Sequence, residues 1–290
     1  MQKVNAAPNI DEKASRLREL IASRPGLIVA YSGGVDSAFL AWTAREVLGE
    51  RMLAVIADSA SLARTHLEDA LAFAREQHIP VEVVETRELE NPAYARNDAM
   101  RCFHCKDELF TVLERFREER GFTVVAYGLN ADDEGDFRPG QQAAKAHHVL
   151  APLLEARLTK MEIRELARQS GLRVWEKPAS ACLSSRMEYG RAVTPEALNV
   201  IERGEDALRG LGFRQFRVRH HGEIVRIEIA RDELSRALTE EMAREFTAIF
   251  KGLGFKFVTL DLEGFRSGSM NQLLSAEELR KGAARTVTIL

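Results

Sequence analysis

A short apolar segment that runs directly into a glycine loop constrains the fold of this chain most strongly. Residues 27–31 read LIVAY, and residues 32–37 read SGGVDS. An apolar run of this length, bounded by turn residues, is typical of a strand that is buried on both faces of a sheet. A helical pattern begins at about residue 38, so the sequence predicts a strand, a tight loop and a helix in direct succession.

Similar apolar segments recur through the first two thirds of the chain. The predicted strands after the first are MLAVIAD at 52–58, VEVVET at 81–86, TVVAYG at 123–128 and VLAPL at 149–153. Helical patterns at 11–23, 62–77 and 105–119 flank or separate them. Strands that alternate with helices predict an α/β domain with a parallel sheet. Ligands of such sheets bind beyond the carboxyl ends of the strands.

The pattern changes after about residue 190. A helix is predicted from Thr194 to about Leu211, followed by a hairpin that turns at His221-Gly222, a helical stretch at 231–251 and a strand in FKFVTLDLEG. This α-β-β-α-β order predicts a smaller α+β, ferredoxin-like domain. The hairpin alternates polar and apolar residues, so one of its faces is expected to be exposed. We therefore expect a first domain at 1–190 and a second at 191–290 that ends in a tail.

Composition narrows the class of function. The 290 residues include 41 Lys and Arg against 44 Asp and Glu, a net charge of −3. This balance argues against a polybasic nucleic-acid-binding protein, and no apolar run approaches the roughly 20 residues of a membrane helix. The first residues lack the apolar core of a secretory signal, and three cysteines are too few for a disulfide scaffold. We expect a cytoplasmic protein with reduced thiols and without nucleic-acid or membrane partners.

The loop after the first strand has the features of a phosphate site. Gly33 and Gly34 allow the backbone to approach a ligand closely, and the next helix offers free N–H groups at its positive end. Ser32 and Ser37 add hydroxyl donors, and Asp36 lies between them. The loop has neither the Lys of a G-x-x-x-x-G-K-[ST] motif nor the pattern G-x-G-x-x-G. A plain turn in which Asp36 or Ser37 caps the helix is the alternative.

Two further strand ends extend this prediction. Asp58 ends the second strand, and Gly128 to Asp133 follow the fourth. Glycine at Gly128 permits close packing against a nucleotide, and the carboxylates of Asp58 and Asp132 are suited to Mg²⁺ with phosphate oxygens. The alternative for Asp132 and Asp133 is a surface turn.

Three cysteines are the second chemical feature. Cys102 and Cys105 form a C-x-x-C in a segment predicted to be irregular, and Cys182 lies in another irregular segment. Structural zinc needs four ligands, and a thioredoxin-like pair leaves Cys182 without a role. Buried structural cysteines are a third interpretation. The fourth is an iron–sulfur cluster held by three thiolates, with one iron open to a sulfide or a substrate.

The hexapeptide SGGVDS resembles the PP-loop of the ATP pyrophosphatases, which include GMP and NAD synthetases and tRNA thiolation enzymes. With RCFHCK at 101–106, ACLSSRMEYG at 181–190 and FKFVTLDLEGFRSGSMN at 255–271, nearly the whole chain resembles the LarE family. The resemblance implies an ATP-dependent sulfur transferase of nickel-pincer nucleotide biosynthesis. It implies that ATP adenylates a carboxylate of pyridinium-3,5-biscarboxylic acid mononucleotide, and that sulfur then displaces AMP.

The resemblance also implies site residues. One branch of the family sacrifices the sulfur of a single cysteine, which corresponds to Cys182. The other branch holds a [4Fe–4S] cluster on three cysteines, so Cys102, Cys105 and Cys182 are its expected ligands here. Asp36 and Cys182 are the candidate catalytic residues. The expected cofactors are ATP, Mg²⁺ and the cluster, and the family suggests a homo-oligomer.

The substrate phosphate needs a cationic site. Arg217 and Arg219 lie two residues apart on one strand and therefore share a face, and Arg186 is a third candidate. The alternative is a solvated polar face. Glu202, Glu205 and Glu228 could position a metal ion or pair with these arginines. Competing functions are tRNA thiolation, ammonia-dependent amide synthesis and a redox-sensing nucleotide-binding module.

Overall fold

The computed structural model describes residues 8–134, 139–178, 181–266 and 268–273, which group into two compact units. The first unit contains the described residues within 1–58, 64–86 and 105–180. The second unit contains those within 59–63, 87–104 and 181–290. Each unit has its own sheet, and each draws on more than one stretch of the chain.

The described part of the chain forms seven strands and eleven α-helices. The strands are β1 (Leu27–Ala30), β2 (Met52–Asp58), β3 (Val81–Glu85), β4 (Val124–Tyr127), β5 (Phe216–His221), β6 (Ile224–Ile229) and β7 (Phe257–Leu260). The helices are α1 (Ile10–Ala22), α2 (Val35–Leu48), α3 (Arg64–Glu76), α4 (Pro92–Ala95), α5 (Arg101–Arg120), α6 (Gly140–Ala146), α7 (Pro152–Glu155), α8 (Lys160–Gln169), α9 (Pro195–Gly210), α10 (Leu234–Ala237) and α11 (Glu240–Gly252). Among the described helices, none has the length and apolar character needed to cross a bilayer.

The sheet of the first unit is parallel, as predicted. Its strand order is β3-β2-β1-β4, and Leu27 of β1 pairs with Met52 on one side and Val124 on the other. All four residues of β1 are buried, because neighbouring strands and helices cover both faces. Parallel strands end at one edge, so the loops after β1, β2 and β4 lie along the same edge of this sheet.

The predicted fifth strand at 149–153 is reduced to a single bridge. Leu150 pairs in parallel with Ala126, and its N–H and carbonyl bond to β4 at 2.9 Å each. Pro152 then begins α7. Proline has no N–H for a ladder and is well suited to the first turn of a helix, which explains why the strand stops there.

The second unit contains a three-stranded sheet and has the predicted α-β-β-α-β order. Strands β5 and β6 form an antiparallel hairpin, and β7 joins β6 in parallel after α11. Val218 and Ile227 face the helices and are fully buried. Gly204 of α9 allows this close packing, because a Cβ there would lie 2.7 Å from a ring carbon of Phe250.

The polar face of the hairpin is buried, and the expectation of an exposed face is wrong. Arg219 is 5% exposed and Glu228 is fully buried. The Leu183–Arg186 turn and Ser269, from the segment after β7, donate or accept hydrogen bonds on this face. Alternation of polar and apolar residues therefore marks two different buried environments in this hairpin, one apolar and one charged.

The C-x-x-C segment is helical, and the expectation of an irregular segment is wrong at this point. Helix α5 begins at Arg101, so Cys102 lies in its first turn and Cys105 at the start of its second. Residues three apart on a helix share a face. The segment RCFHCK has no apolar periodicity typical of a helix. For this reason the sequence predicts the helix start at residue 105, four residues after the observed start.

Candidate active site

The loop between β1 and α2 is held in shape by its own polar groups. The Ser37 Oγ accepts the N–H of Ser32 and donates to the carbonyl of Gly34, both at 3.1 Å. The Oγ atoms of Ser32 and Ser37 also lie 3.1 Å apart. Gly34 caps α2 with its backbone in the extended region, so the first-turn amides of α2 have no acceptor within the helix. This is the arrangement that binds a phosphate at a helix N-terminus.

Two glycines are required by close contacts around this loop. Gly33 has a φ of +69°, and a Cβ there would lie 2.5 Å from the Cβ of Ala70 on α3. A Cβ on Gly128, after β4, would lie 2.7 Å from the backbone nitrogen of Ser37. Gly128 therefore brings the end of β4 against the first turn of α2, as expected for residues at one edge of a parallel sheet.

A lysine that sequence analysis missed connects two of the predicted carboxylates. The Nζ of Lys160 pairs with Oδ2 of Asp36, and its backbone N–H donates to Oδ2 of Asp132 at 2.8 Å. The other oxygen of Asp36, Oδ1, is buried and has no hydrogen-bond partner among the described residues. Lys160 lies 124 residues from Asp36 in the chain, so no local motif could reveal this contact.

Two further features of the predicted nucleotide site are Asp58, at the end of β2, and the space beside the loop. Arg64 pairs with Asp58 at 2.6 Å, and the carbonyl of Asp58 accepts the N–H of Thr86 at 3.1 Å. A cavity of about 360 Å³ borders Gly33 and is lined by α3 and the segment 173–177. In its wall, Lys177 pairs with Asp69 at 3.3 Å. The loop therefore has open space on its α3 side.

The three cysteines carry no disulfide. Cys102 is exposed, whereas Cys105 and Cys182 are partly buried. Within residues 8–134, 139–178, 181–266 and 268–273, no three His, Cys, Asp or Glu side chains are arranged to hold a metal ion. Cysteine thiolates are the groups that normally bind the iron of iron–sulfur clusters.

Arg186 braces the turn that contains Cys182. It is 1% exposed, and its guanidinium binds Glu205 of α9 in a bidentate manner, with distances of 2.8 and 3.0 Å. The same guanidinium donates to the carbonyls of Ala181 and Cys182 at 2.6 and 3.0 Å. The two Arg186 bonds to Glu205 are charge-assisted and fix the turn to α9.

A second buried pair lies on the polar face of the hairpin. Arg219 donates to Glu228 at 2.8 Å and to Ser269 at 3.0 Å. Arg226 donates to the other oxygen of Glu228 at 3.1 Å, and Ser269 donates to that oxygen at 2.7 Å. Glu205 and Glu228 therefore pair with arginines, one of the two roles proposed for them.

Arg217 differs from its two neighbours. It lies on the same face as Arg219, and its guanidinium sits over the ring of Phe265 at 4.7 Å. Burial lowers the pKa of Arg217 to about 10, and repulsion from Arg186 adds to this effect although Glu205 opposes it. A lowered pKa means that the charged form is destabilised where it is, so a bound anion would relieve that cost.

Charged side chains around the hairpin of this unit form a network of ion pairs, which we call the arginine network. Its described members are Arg186, Arg217, Arg219, Arg226, Arg266, Glu205, Glu228, Asp261 and Glu263. The Nε atoms of Arg219, Arg226 and Arg266 are buried and have no hydrogen-bond partner among the described residues. The network therefore has donors that no described residue uses.

The sequence is similar to known proteins over nearly its whole length. It is 34% identical over 254 residues to pyridinium-3,5-bisthiocarboxylic acid mononucleotide synthase of Lactiplantibacillus plantarum, which covers 87% of this chain and 91% of that protein. The chain belongs to the LarE family. An uncharacterized protein of Synechocystis sp. is 40% identical to this LarE-family chain over 92% of the chain and 99% of its own length.

More distant matches concern the nucleotide region. The family model for NAD synthase matches residues 11–109, which contain the SGGVDS loop. A glutamine-hydrolysing GMP synthase component of Methanococcus maripaludis is 31% identical over 185 residues, 57% of this chain and 56% of that protein. The shared PP-loop and the LarE relationship together indicate an ATP-using enzyme.

Proposed function

We propose that this LarE-family chain is an ATP-dependent sulfur transferase of nickel-pincer nucleotide biosynthesis. It adenylates a carboxylate of pyridinium-3,5-biscarboxylic acid mononucleotide and replaces the activated oxygen with sulfur. The observation that carries the proposal is the preformed phosphate loop at Ser32–Ser37 in a chain 34% identical to a synthase of the bisthiocarboxylic product. ATP is the expected co-substrate.

In the first step, a substrate carboxylate oxygen attacks the α-phosphorus of ATP. The bond between the α-phosphorus and the bridging oxygen breaks, and pyrophosphate leaves with the electron pair. The first-turn amides of α2 and the Ser32 and Ser37 hydroxyls stabilise the charge on the departing phosphates. Asp36 Oδ1 and Asp132 offer carboxylate oxygens suited to a Mg²⁺ ion, which neutralises phosphate charge when bound.

In the second step, a sulfur nucleophile attacks the acyl carbon. A C–S bond forms, the C–O bond to the phosphate breaks, and AMP leaves with the electron pair. Adenylation is needed because a free carboxylate oxygen is a poor leaving group. Sulfur suits the attack because it is polarisable and readily ionised near neutral pH. Cys182 is the residue proposed to deliver it.

The proposed cluster ligands are Cys102, Cys105 and Cys182. The donor type supports this proposal, as does the position of Cys102 and Cys105 on one face of α5 near its N-terminus. A bound [4Fe–4S] cluster with one iron not held by protein would carry an exchangeable sulfide. No step above depends on the cluster, since either a cysteine sulfur or a sulfide can act as the nucleophile.

The substrate phosphate is assigned to the arginine network, and within it to Arg217 first. Burial destabilises the charge of Arg217, and an anion bound beside its guanidinium would relieve that cost. Arg219 contributes an Nε donor that no described residue uses. Arg186 contributes through the positive electrostatic potential of its guanidinium. Replacing Arg217 by Gln should raise KM for the mononucleotide about tenfold or more and leave KM for ATP unchanged.

Product analysis tests the first step. The chain, ATP, Mg²⁺ and the carboxylated mononucleotide should yield AMP and pyrophosphate, and Asp36→Ala should abolish pyrophosphate release. ADP and phosphate as products would overturn the assignment. Formation of an amide from ammonia at a rate above that of thiocarboxylate formation would instead identify an amide synthetase.

Mass spectrometry and anaerobic reconstitution test the sulfur source. With a cluster, each single Cys→Ala variant loses both the iron-dependent absorbance and sulfur transfer, and the wild-type chain keeps all three cysteines through repeated turnover. If Cys102→Ala and Cys105→Ala keep single-turnover activity while Cys182 becomes dehydroalanine, the proposal of a cluster is wrong. The sulfur then comes from Cys182 itself.

A further inference from the structure

His221 is the last residue of β5, and one nitrogen of its ring has no hydrogen-bond partner among the described residues. Its Nδ1 atom lies 3.4 Å from Oε1 of Glu188. Its Nε2 atom is buried, and no residue in the described ranges bonds to it. A buried polar atom without a partner is costly to the fold, so the exposure of Nε2 to a ligand is the question to ask of this ring.

The carboxylate of Glu188 determines which nitrogen of the ring carries the proton. Arg191 pairs with Glu188 at 3.4 Å, and the N–H of Glu188 donates to the carbonyl of His220 at 3.2 Å, so the carboxylate is held beside β5. A carboxylate only accepts hydrogen bonds, and it therefore places the ring proton on Nδ1. Burial lowers the pKa of His221, and the charge of Arg226 adds to this effect although Glu188 opposes it, so the ring is neutral at physiological pH. Nε2 is then an acceptor.

The side chains beside this acceptor are donors. Residues two apart on a strand share a face, so His221 lies on the same face as Arg219. Arg226 pairs with Arg219 across the hairpin, and its charge acts on His221. The Nε atoms of Arg219 and Arg226 are buried, and within the described part of the chain nothing accepts a hydrogen bond from them. This face of the hairpin therefore offers one neutral acceptor beside two charged donors.

A ligand that satisfies this face needs both anionic oxygens and a hydroxyl. Anionic oxygens accept from the guanidinium groups, whereas Nε2 of His221 accepts only from an O–H or an N–H. A metal ion would also use the lone pair of Nε2, but the positive charges of Arg219 and Arg226 repel a cation. Sugar phosphates combine the two required groups. The separation of about 6–7 Å between alternate residues of a strand is comparable to that between the phosphate and the hydroxyls of a ribose.

The end of this face at the hairpin turn is open to solvent. Ile224, which pairs with His221, is 40% exposed, and Phe257, which pairs with Ile224 from β7, is 59% exposed. Arg219 and Glu228, nearer the middle of the hairpin, are buried. A ligand can therefore reach His221 from the turn without disrupting the buried ion pair.

We propose that His221 is a specificity-determining residue whose Nε2 accepts a hydrogen bond from a ribose hydroxyl of the mononucleotide substrate. The arginines of the same face hold the phosphate, and Glu188 is the positioning residue that keeps the ring proton on Nδ1. The inference rests on the proposed function in taking a mononucleotide as the substrate. It adds which part of that substrate the protein selects, namely a sugar that retains its hydroxyl groups.

Analogues of the substrate that lack one hydroxyl test this contact directly. Calorimetry on the full chain without ATP measures binding of the carboxylated mononucleotide and of its 2′-deoxy and 3′-deoxy analogues. The analogue that lacks the hydroxyl bound by His221 should bind about tenfold more weakly to the wild-type chain, because Nε2 is then left without a donor. The ratio of the two dissociation constants is the selectivity.

Substitutions of His221 should remove this selectivity. His221→Phe keeps a ring but has no acceptor, so the ribose compound should lose about tenfold in affinity and bind no better than the deoxy analogue. His221→Gln, whose side-chain oxygen is an acceptor, should keep part of the selectivity. His220→Phe is the matched control and should leave the selectivity unchanged, because His220 lies on the opposite face, where its Nδ1 already accepts the N–H of Gly222 at 3.2 Å.

Equal binding of all three compounds to the wild-type chain overturns the inference, as does selectivity that survives in folded His221→Phe. If that variant does not fold, the wild-type selectivity and its reduction in His221→Gln decide alone. A purely structural role of His221 would weaken all three compounds by the same factor and leave the selectivity intact.

The proposed function is tested separately, by release of AMP and pyrophosphate from the ribose compound. A chain that releases pyrophosphate but binds the three compounds equally keeps the proposed function and loses the inference. A chain that selects the ribose compound but releases no pyrophosphate keeps the inference and loses the proposed function.

Discussion

The phosphate loop of the first unit and the arginine network of the second prepare the protein for anions in opposite ways. The loop uses neutral donors, namely backbone amides and two serine hydroxyls, and its nearby Lys160 is paired with Asp36. The network uses charged guanidinium groups, of which those of Arg186 and Arg219 are buried and that of Arg217 is largely buried. The loop can bind phosphate without a buried net charge, whereas the network carries a desolvation cost that an anion relieves.

The difference has a consequence for folding and function. Cations in the network hold turns and strands together, so their removal should affect stability first. The polar groups of the loop bond to one another rather than to other elements, so their removal should affect catalysis first. The following changes test this contrast, from the largest expected effect to the smallest.

Arg186→Gln should destabilise the second unit by about 3–5 kcal/mol, because it leaves Glu205 buried without its partner. Hydrogen exchange should rise in β5 and β6 and stay unchanged in β1. Arg203→Gln is the control, because Arg203 lies on α9, the helix that contains Glu205, and is exposed. Equal loss of protection in both sheets would contradict the contrast.

Lys160→Ala should lower kcat/KM for pyrophosphate release about 100-fold, because the carboxylate of Asp36 loses the group that orients it beside the loop. The pair is partly exposed, so unfolding free energy should change by less than about 1 kcal/mol. Lys145→Ala, an exposed change in the same unit, should alter neither quantity. A large loss of stability with normal activity would show that Lys160 stabilises the fold and does not act in catalysis.

Ser269→Ala should cost about 1–2 kcal/mol, because Glu228 and Arg219 each lose a buried hydrogen bond. The effect should be smaller than that of Arg186→Gln, since the ion pair between Arg219 and Glu228 remains. Urea unfolding of the Ser269→Ala and Arg186→Gln variants measures the two losses of stability. A loss as large as that of Arg186→Gln would show that hydroxyl contacts, rather than charges, dominate the network.

His147→Gln should have the smallest effect, and only at acidic pH. Burial would lower the pKa of His147, but its bonds to Asp107 at 3.0 Å and Glu114 at 3.1 Å raise it overall. A raised pKa stabilises the fold fully below the unfolded pKa of about 6.5 and less as pH rises through the folded value. The melting temperature at pH 6 should therefore fall more than at pH 9, and an equal fall would exclude a charged His147.

The sequence predicted the parts of the fold that depend on short stretches. Apolar runs with glycine and serine after them were sufficient for the parallel sheet and the loop at Ser32–Ser37, because strand burial and turn chemistry are local properties. Two predictions of local structure were wrong. The segment 101–106 is helical although it lacks apolar periodicity, and the strand at 149–153 stops at a bridge because Pro152 starts a helix.

The sequence by itself determined the parallel sheet, the α-β-β-α-β order that follows it, the phosphate loop and the family, because each rests on a contiguous pattern. Tertiary structure alone decided the electrostatics. Asp36 meets Lys160 from 124 residues away, Glu205 and Glu228 receive their arginines, and the ring of His221 meets Glu188. A charge is costly or useful according to what is buried beside it, and residue order does not contain that information.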